Sequence, residues 1–242
     1  MSLPAALFAP PFAHRGLWRP DGPPENSLAA FDAACIAGYG IELDVFLSAD
    51  GEAVVFHDDD LERMTGAPGK VWDRTAAELG ALALKGGPER IPTLKHTLDV
   101  VAGRAMLLVE IKAGPGLGGP LETRVAELLD DYWGAAAVIS FAAGPLAWFA
   151  RHRPDRLRGL DAMTLAADDL AASPQAESAF ENACALAEPH FLALQLDTAA
   201  GPLAARFRAN GRPVVAWTVR SAADAAKVAP CSDNFIFEGF TA

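Results

Sequence analysis

The chain has 242 residues, of which 51% are hydrophobic and 21% are charged, and its formal net charge is −11. This length and composition suit one globular domain over residues 1–242, and the acidic excess argues against nucleic acid or an anionic membrane as a partner. No apolar run approaches the roughly 18 residues of a membrane-spanning helix, so no integral membrane contact is expected. The three cysteines are far apart in sequence, which favours reduced thiols and a cytoplasmic location.

Short apolar segments and helical patterns alternate along the chain. Strands are predicted at 11–15, 41–45, 53–56, 106–111, 138–141, 157–160, 191–196, 214–219 and 235–237. Helices are predicted at 28–37, 93–101, 120–133, 145–153, 199–210 and 221–228, and in pieces of the alanine-rich stretch 163–188. Such alternation implies a parallel sheet, and eight or nine strands in this length favour a closed barrel over an open sheet.

The first helix has recognisable start and stop signals. Asn26 or Ser27 can cap its N-terminus, and Gly38 can end it. Its apolar face is expected to consist of Leu28, Phe31, Cys35 and Ile36.

The alternation of strands and helices is broken once, after the strand at 41–45. The turn at 48–51 leads directly into the next strand, and no helix fits between the two. Residues 59–92 contain charged and Gly/Pro-rich pieces and are predicted to be an insertion over the top of the domain, with a short helix at 75–82. The pattern therefore predicts an α/β fold, a closed barrel of parallel strands with an insertion after the third strand.

The segment 41–45 places two acidic residues on one face of a strand. Because side chains alternate along a strand, Glu42 and Asp44 point to one side and their apolar neighbours to the other. Two buried carboxylates repel each other and lose hydration, so they need a proton, a cationic side chain or a metal ion. The alternative is an edge strand with both acids in solvent, which the apolar flanks disfavour.

Further chemically reactive residues occur at or near the ends of predicted strands, where barrel enzymes carry their catalytic groups. These residues are His14, Arg15, His57, Glu110 and Lys112, which add to Glu42 and Asp44. Three carboxylates provide oxygen ligands for Mg²⁺ or Ca²⁺, two histidines can form an acid–base pair, and two cations can bind phosphate. Glu110 and Lys112 could instead form a surface ion pair. Trp217, at another strand end, is either core or the wall of a pocket; its position at a strand end favours the wall, where it is expected to contact substrate.

Seven short motifs follow one another in a specific order between His14 and Lys112. They are His14-Arg15-Gly16, Pro24-Glu25-Asn26-Ser27, Glu42-Leu43-Asp44-Val45, Asp50-Gly51, His57-Asp58, Ile91-Pro92-Thr93-Leu94 and Glu110-Ile111-Lys112. This series resembles the glycerophosphodiester phosphodiesterase family, and the likeness resumes weakly around Trp217. The resemblance implies a distorted (β/α)8 TIM barrel shared with phosphatidylinositol-specific phospholipases C, with the predicted insertion after the third strand as a small capping element.

The resemblance also implies a set of site residues and an activity. The implied set is one divalent cation on Glu42, Asp44 and Glu110, the acid–base pair His14 and His57, and phosphate contacts from Arg15 and Lys112. The implied activity is metal-dependent hydrolysis of a small glycerophosphodiester to glycerol 3-phosphate and an alcohol.

Several alternatives to this activity stay open at the level of the sequence. A related phosphodiesterase or lyase could act on lysophospholipid or phosphoinositide head groups, and a barrel could bind ligand without chemistry. No Ser, Thr or Cys stands beside a histidine in the strand-end motifs, so the nucleophile is water or the substrate's own C2 hydroxyl. The last strand ends at Phe237-Glu238-Gly239 where the family often has Asp-Pro, which leaves the contacts of the leaving alcohol open. The sequence does not indicate an oligomeric state.

Overall fold

The computed structural model describes residues 3–85, 87–162 and 174–242. The fold is the predicted (β/α)8 barrel, with eight parallel strands, helices between them and one extra strand among these residues. The chain divides into two compact units, Phe12–Ala136 and Met1–Pro11 together with Ala137–Ala242. The extent of the domain, residues 1–242, stays a prediction.

The bounds of the elements follow the predicted segments closely. The strands are β1 Phe12–Ala13, β2 Gly40–Leu47, β3 Ala53–Val55, β4 Leu107–Ile111, β5 Ala136–Ser140, β6 Leu157–Ala162, β7 Phe191–Gln195, β8 Val214–Val219 and β9 Asn234–Phe237. The described α-helices are α1 Leu28–Ala37, α2 Glu62–Thr65, α3 Ala76–Gly80, α4 Leu94–Val101, α5 Pro120–Asp130, α6 Ala143–His152, α7 Pro174–Ala187, α8 Leu196–Ala199, α9 Pro202–Ala209 and α10 Ala222–Val228.

In the unit Phe12–Ala136, β2 lies between β1 and β4 and pairs with both in parallel. The extra strand β3 pairs antiparallel with β2, so β2 and β3 form the hairpin predicted from the absence of a helix. The turn closes through a hydrogen bond from the backbone N–H of Gly51 to the carbonyl of Ser48, at 3.0 Å. Gly51 has φ 85°, a conformation that glycine adopts at little cost.

The insertion at 59–92 has a hydrophobic core of its own, built against the outer part of the hairpin. Its buried members are Phe46, Val54, Phe56, Leu61, Val71, Leu79, Leu84 and Ile91. The short helix predicted at 75–82 is α3, and a reciprocal pair of hydrogen bonds between Thr75 and Glu78 caps it. A core of this kind allows the insertion to present side chains from fixed positions.

Helix α1 confirms the predicted signals but not the whole predicted face. Ser27, rather than Asn26, is the N-cap, and its hydroxyl accepts a hydrogen bond from the N–H of Ala30 at 3.1 Å. Gly38 ends the helix with φ 78°. Ile36 was expected to face inward, but it is 76% exposed. The buried residues are Ala30, Phe31 and Ala34, and Ile36 lies on the opposite side of the helix. Leu28 and Cys35 of the predicted face are only partly buried.

In the other unit, β5 to β9 pair in parallel in sequence order. The helix predicted at 199–210 is α9, which begins later, at Pro202, because proline suits the first turn of a helix. The short helix α8 before it was not predicted, and it takes up Leu196, the last residue of the predicted strand 191–196. The alanine-rich stretch 163–188 contains α7, and residues 163–173 lie outside the described part of the chain. No helix in the described ranges has both the length and the apolar content to cross a membrane.

Candidate active site

The pairing of β2 with β4 brings three acidic residues together. Asp44 lies opposite Glu110 in the parallel register, and Glu42 lies two residues before Asp44 on the same face of β2. Each of the three offers a carboxylate oxygen, and these oxygens lie within 4.8 Å of one another. The residues are 2%, 0% and 7% exposed for Glu42, Asp44 and Glu110, so the alternative of an edge strand in solvent is wrong.

Lys112 extends into this three-carboxylate cluster from the end of β4. Its ammonium nitrogen lies 2.8 Å from Asp44 Oδ1 and 2.7 Å from Glu110 Oε1. The lysine side chain is only 13% exposed, so the ion pair with Glu110 is not the surface pair considered as an alternative. The sequence required a positive charge, a proton or a metal ion between the acids, and Lys112 supplies part of that charge.

The charge of the cluster is only partly compensated. Burial, reinforced by Asp44 and Glu110, raises the pKa of Glu42 well above its ordinary value. Burial and Asp44 also raise the pKa of Glu110, to about 7, against the opposing effect of Lys112. Burial alone would raise the pKa of Asp44 too, but Lys112, His57 and Arg15 outweigh it and the pKa is lowered. Lys112 therefore stabilises the ionised form of Asp44 most strongly. The negative charges of Glu42 and Glu110 are not fully compensated, and a further positive charge beside them would be stabilising.

His14 and Arg15 lie beside this cluster because β1 pairs with the start of β2. His14 Nε2 lies 3.9 Å from Glu42 Oε2, and the backbone N–H of Arg15 donates to the same oxygen at 2.9 Å. Arg15 has φ 56° and Gly16 has φ 80°. A Cβ on Gly16 would lie 2.9 Å from atoms of Ala30, so this turn requires glycine.

The motif at 24–27 forms the next layer around the acids. Asn26 has φ 55°, and its side-chain amide donates to Asp44 Oδ2 at 2.7 Å. Asn26 is 1% exposed, and its amide oxygen has no hydrogen-bond partner among the described residues. Glu25 Oε1 accepts a hydrogen bond from Arg15 Nη1 at 3.0 Å. The guanidinium of Arg15 thus lies between Glu25 and Asp44, whose Oδ2 is 3.7 Å from Arg15 Nε.

The second histidine follows β3 and is held by its neighbour in sequence. His57 Nδ1 and Asp58 Oδ1 are 2.6 Å apart, and Asp58 Oδ2 pairs with the guanidinium of Arg63. Burial lowers the pKa of His57, with Lys112 and Arg15 adding to the effect and Asp44 opposing it. The neutral imidazole with its proton on Nδ1 therefore donates to Asp58 and leaves Nε2 as the basic nitrogen.

Trp217, the remaining predicted site residue, belongs to the other unit, where it lies on β8. Its ring meets that of Phe141 edge-on, with 5.5 Å between centroids, and Phe141 is 45% exposed. The indole N–H of Trp217 is buried without a hydrogen-bond partner among the described residues. These contacts agree with a pocket wall, and a role in substrate binding stays a prediction.

The donor set near Asp44 suits a hard divalent cation. The set consists of three convergent carboxylates, two of them with raised pKa values, and carboxylate oxygens are the ligands that Mg²⁺ and Ca²⁺ prefer. The unpartnered amide oxygen of Asn26 is a further oxygen donor held against the same cluster. The residues present therefore fit such an ion.

Four residues with direct contacts at the site had no firm assignment from the sequence. They are Glu25, Asn26, Asp58 and Arg63. Asp58 directly follows a candidate catalytic histidine, and that adjacency is a usable signal for an orienting carboxylate. Arg63 gave no such signal, because its partner Glu25 is 38 residues away in the chain.

Strand-end carboxylates beside two histidines and two cations are the arrangement of a barrel hydrolase. The chain belongs to the glycerophosphoryl diester phosphodiesterase family, whose sequence profile matches residues 14–231. The family resemblance inferred from the motifs is thus confirmed.

Individual relatives support the same assignment. A glycerophosphodiester phosphodiesterase of Caldanaerobacter subterraneus subsp. tengcongensis is 38% identical over 128 residues, covering 50% of this chain and 52% of the relative. One from Bacillus altitudinis is 35% identical over 154 residues, covering 59% of this chain and 62% of the relative. The matches thus span only about half to three fifths of these relatives. An Oleispira antarctica phosphodiesterase, solved in complex with the product sn-glycerol-3-phosphate, has a TM-score of 0.82 and 26% identity, with 97% of this chain and 94% of that chain covered.

Proposed function

We propose that this protein hydrolyses glycerophosphodiesters to glycerol 3-phosphate and an alcohol, with a divalent cation and two acid–base histidines. The observation that carries the proposal is the buried three-carboxylate cluster with His14 and Arg15 beside it. Family membership and the product bound to the Oleispira antarctica phosphodiesterase support the choice of substrate class.

Glu42, Asp44 and Glu110 would hold the ion, Mg²⁺ or Ca²⁺. When bound, such an ion supplies Lewis-acid stabilisation of negative charge on phosphate oxygens. Arg15 and Lys112 add positive charge at the same place, and both side chains are largely buried, which strengthens their interaction with an anionic substrate. Glu25 and Asn26 hold Arg15 and Asp44 in position before substrate arrives.

His57 and His14 would move the protons. The lowered pKa of His57 favours its neutral form, and the hydrogen bond to Asp58 leaves Nε2 to accept a proton from the nucleophile. His14 would then protonate the oxygen of the leaving alcohol. In a second step, which restores the starting protonation states of both imidazoles, the two histidines would exchange these roles.

The nucleophile proposed for the first step is the C2 hydroxyl of the substrate's glycerol. Attack by this hydroxyl on phosphorus closes a five-membered ring, and a well-oriented internal group reacts with an effective concentration on the order of 10⁵ M or more. The P–O bond to the leaving alcohol breaks as that alcohol takes a proton. Water then opens the cyclic phosphate to give glycerol 3-phosphate.

The decisive experiment is a substrate panel with matched histidine variants. Glycerophosphocholine, glycerophosphoethanolamine, glycerophosphoinositol and a lysophospholipid are each incubated with the protein and with Mg²⁺ or Ca²⁺. The proposal predicts release of glycerol 3-phosphate from at least one of the first three and near-complete loss in His14→Ala and His57→Ala. Exclusive cleavage of the lysophospholipid would favour the head-group alternative, and binding without any cleavage would favour a barrel that lacks catalysis.

Two further proposals concern the partner of the protein and its location in the cell. The acidic net charge supports a small-molecule substrate rather than nucleic acid as the partner. The separation of the three free cysteines supports a cytoplasmic location.

A further inference from the structure

Arg63 connects two carboxylates of the candidate active site, Glu25 and Asp58, that come from different segments of the chain. It lies on α2 in the insertion, and its side chain is 47% exposed. One edge of the guanidinium pairs with Glu25, with Nη2 at 2.6 Å from Oε1 and Nη1 at 3.2 Å from Oε2. Nε donates to Asp58 Oδ2. A single cation thus occupies one oxygen of Asp58 and both oxygens of Glu25.

Each of these two carboxylates holds one residue of the proposed reaction. Asp58 uses its other oxygen for His57 Nδ1, at 2.6 Å. Glu25 shares its Oε1 with Arg15 Nη1, at 3.0 Å. The chain of contacts therefore runs from His57 through Asp58, Arg63 and Glu25 to Arg15. It links the proton-transfer group to a phosphate-binding group through one residue of the insertion.

We propose that Arg63 is a positioning residue that orients His57 and Arg15 at the same time. This inference rests on the reaction proposed above. The planar fork of the guanidinium fixes the directions of its bonds to both carboxylates, whereas an ammonium group binds carboxylates as a point charge without that constraint. With Arg63 in place, Asp58 is fixed, so the imidazole of His57 keeps its Nδ1–H tautomer and its orientation.

The effect on Arg15 follows from charge balance at Glu25. Glu25 is 8% exposed, and burial alone would raise its pKa, yet hydrogen bonds and charge from Arg63 and Arg15 lower it. Among the described residues, the other cation that contacts this buried carboxylate is Arg15. Without Arg63, Arg15 would be drawn to Glu25 and would offer less positive charge to the phosphate of the substrate.

The expected consequence is a defect in both kinetic constants. Arg63→Ala should lower kcat by about 10- to 100-fold, the scale for residues that orient a site residue through hydrogen bonds. It should raise KM as well, through Arg15. Arg63→Lys keeps the charge but loses the fork, so its kcat should lie between those of the wild type and Arg63→Ala.

A matched control separates positioning from a general weakening of the insertion. Lys70 forms an ion pair with Asp59 at 2.8 Å within the same insertion, and both side chains are partly exposed. Lys70→Ala removes the ion pairs of this lysine with Asp59 and Asp60 from the same insertion without touching Glu25 or Asp58. It should leave kcat and KM for glycerophosphocholine unchanged.

The test compares the wild type, both Arg63 variants and the Lys70 control, with glycerophosphocholine and Mg²⁺. Millimolar guanidinium should restore part of kcat in Arg63→Ala, and sodium chloride at equal ionic strength should not. In parallel, proton NMR should detect the His57 Nδ1 proton in the wild type and in Lys70→Ala and lose it in Arg63→Ala. Wild-type kinetics in Arg63→Ala, an equal loss in the Lys70 control, or an undisturbed Nδ1 proton would overturn the inference. An inactive wild type would refute the proposed function instead, and the NMR comparison would still decide the role of Arg63.

Discussion

Glu110→Gln tests the electrostatics of the metal-free site most sharply. Burial, with Asp44, raises the pKa of Glu110 from 4.5 to about 7 in spite of the ion pair with Lys112. A carboxyl group with a higher pKa in the folded than in the unfolded chain contributes stability that is present below the unfolded pKa and lost as the pH rises through the folded one. The difference corresponds to roughly 3 kcal/mol of unfolding free energy, of which about 2 kcal/mol is lost between about pH 5.5 and pH 8.

Glu110→Gln keeps a neutral side chain at every pH, so the loss of unfolding free energy caused by ionisation of Glu110 should be absent from the variant. Urea unfolding of both proteins in EDTA, followed by circular dichroism, should show the variant gaining about 2 kcal/mol on the wild type between about pH 5.5 and pH 8. Glu78→Gln is the control, because hydrogen bonds from Thr75 lower the pKa of Glu78, so its titration lies below this pH range and its difference from the wild type should stay constant across it. A difference between wild type and Glu110→Gln that does not change with pH would refute the reasoning, since Glu110 would then be ionised throughout.

Three further predictions concern the reaction. His14→Ala and His57→Ala should each lower kcat by at least about 10²-fold, and the double variant should lose far less than the product of the two effects; wild-type rates in one variant would remove that histidine from the mechanism. Lys112→Met should lower kcat more than it raises KM, because phosphoryl oxygens gain charge in the transition state, and a change in KM alone would limit Lys112 to binding. A diester built on propane-1,3-diol instead of glycerol should bind but react at least about 10²-fold more slowly, and equal rates would favour direct attack by water.

The acidic cluster could be predicted because its geometry depends on few variables. Alternation along a strand puts Glu42 and Asp44 on one face, and parallel neighbours must present their C-terminal ends together. Glu110 was expected at the same edge as Asp44 because both stand at strand ends, and the pairing of β2 with β4, which places Asp44 opposite Glu110, brings them together.

The support around the cluster could not be predicted in the same way. Arg63 reaches Glu25 from a short helix whose position depends on the hydrophobic core of the insertion, and no local pattern encodes that position. The exposed position of Ile36 has a related cause. Its apolar character suggested burial, but α1 packs through its opposite face, where Ala30, Phe31 and Ala34 are buried. Contacts that depend on packing between distant segments exceed what periodicity can indicate.

Phosphorus NMR of glycerophosphocholine hydrolysis, with and without a divalent cation, tests the central claim most directly. The wild type is stripped with EDTA, and Mg²⁺ or Ca²⁺ is then added back; Glu42→Gln is treated in the same way. The account predicts that the diester signal gives way to that of glycerol 3-phosphate only after a cation is restored to the wild type, and much more slowly in Glu42→Gln. Equal turnover by the chelated enzyme, or a diester signal that persists under all of these conditions, would contradict it.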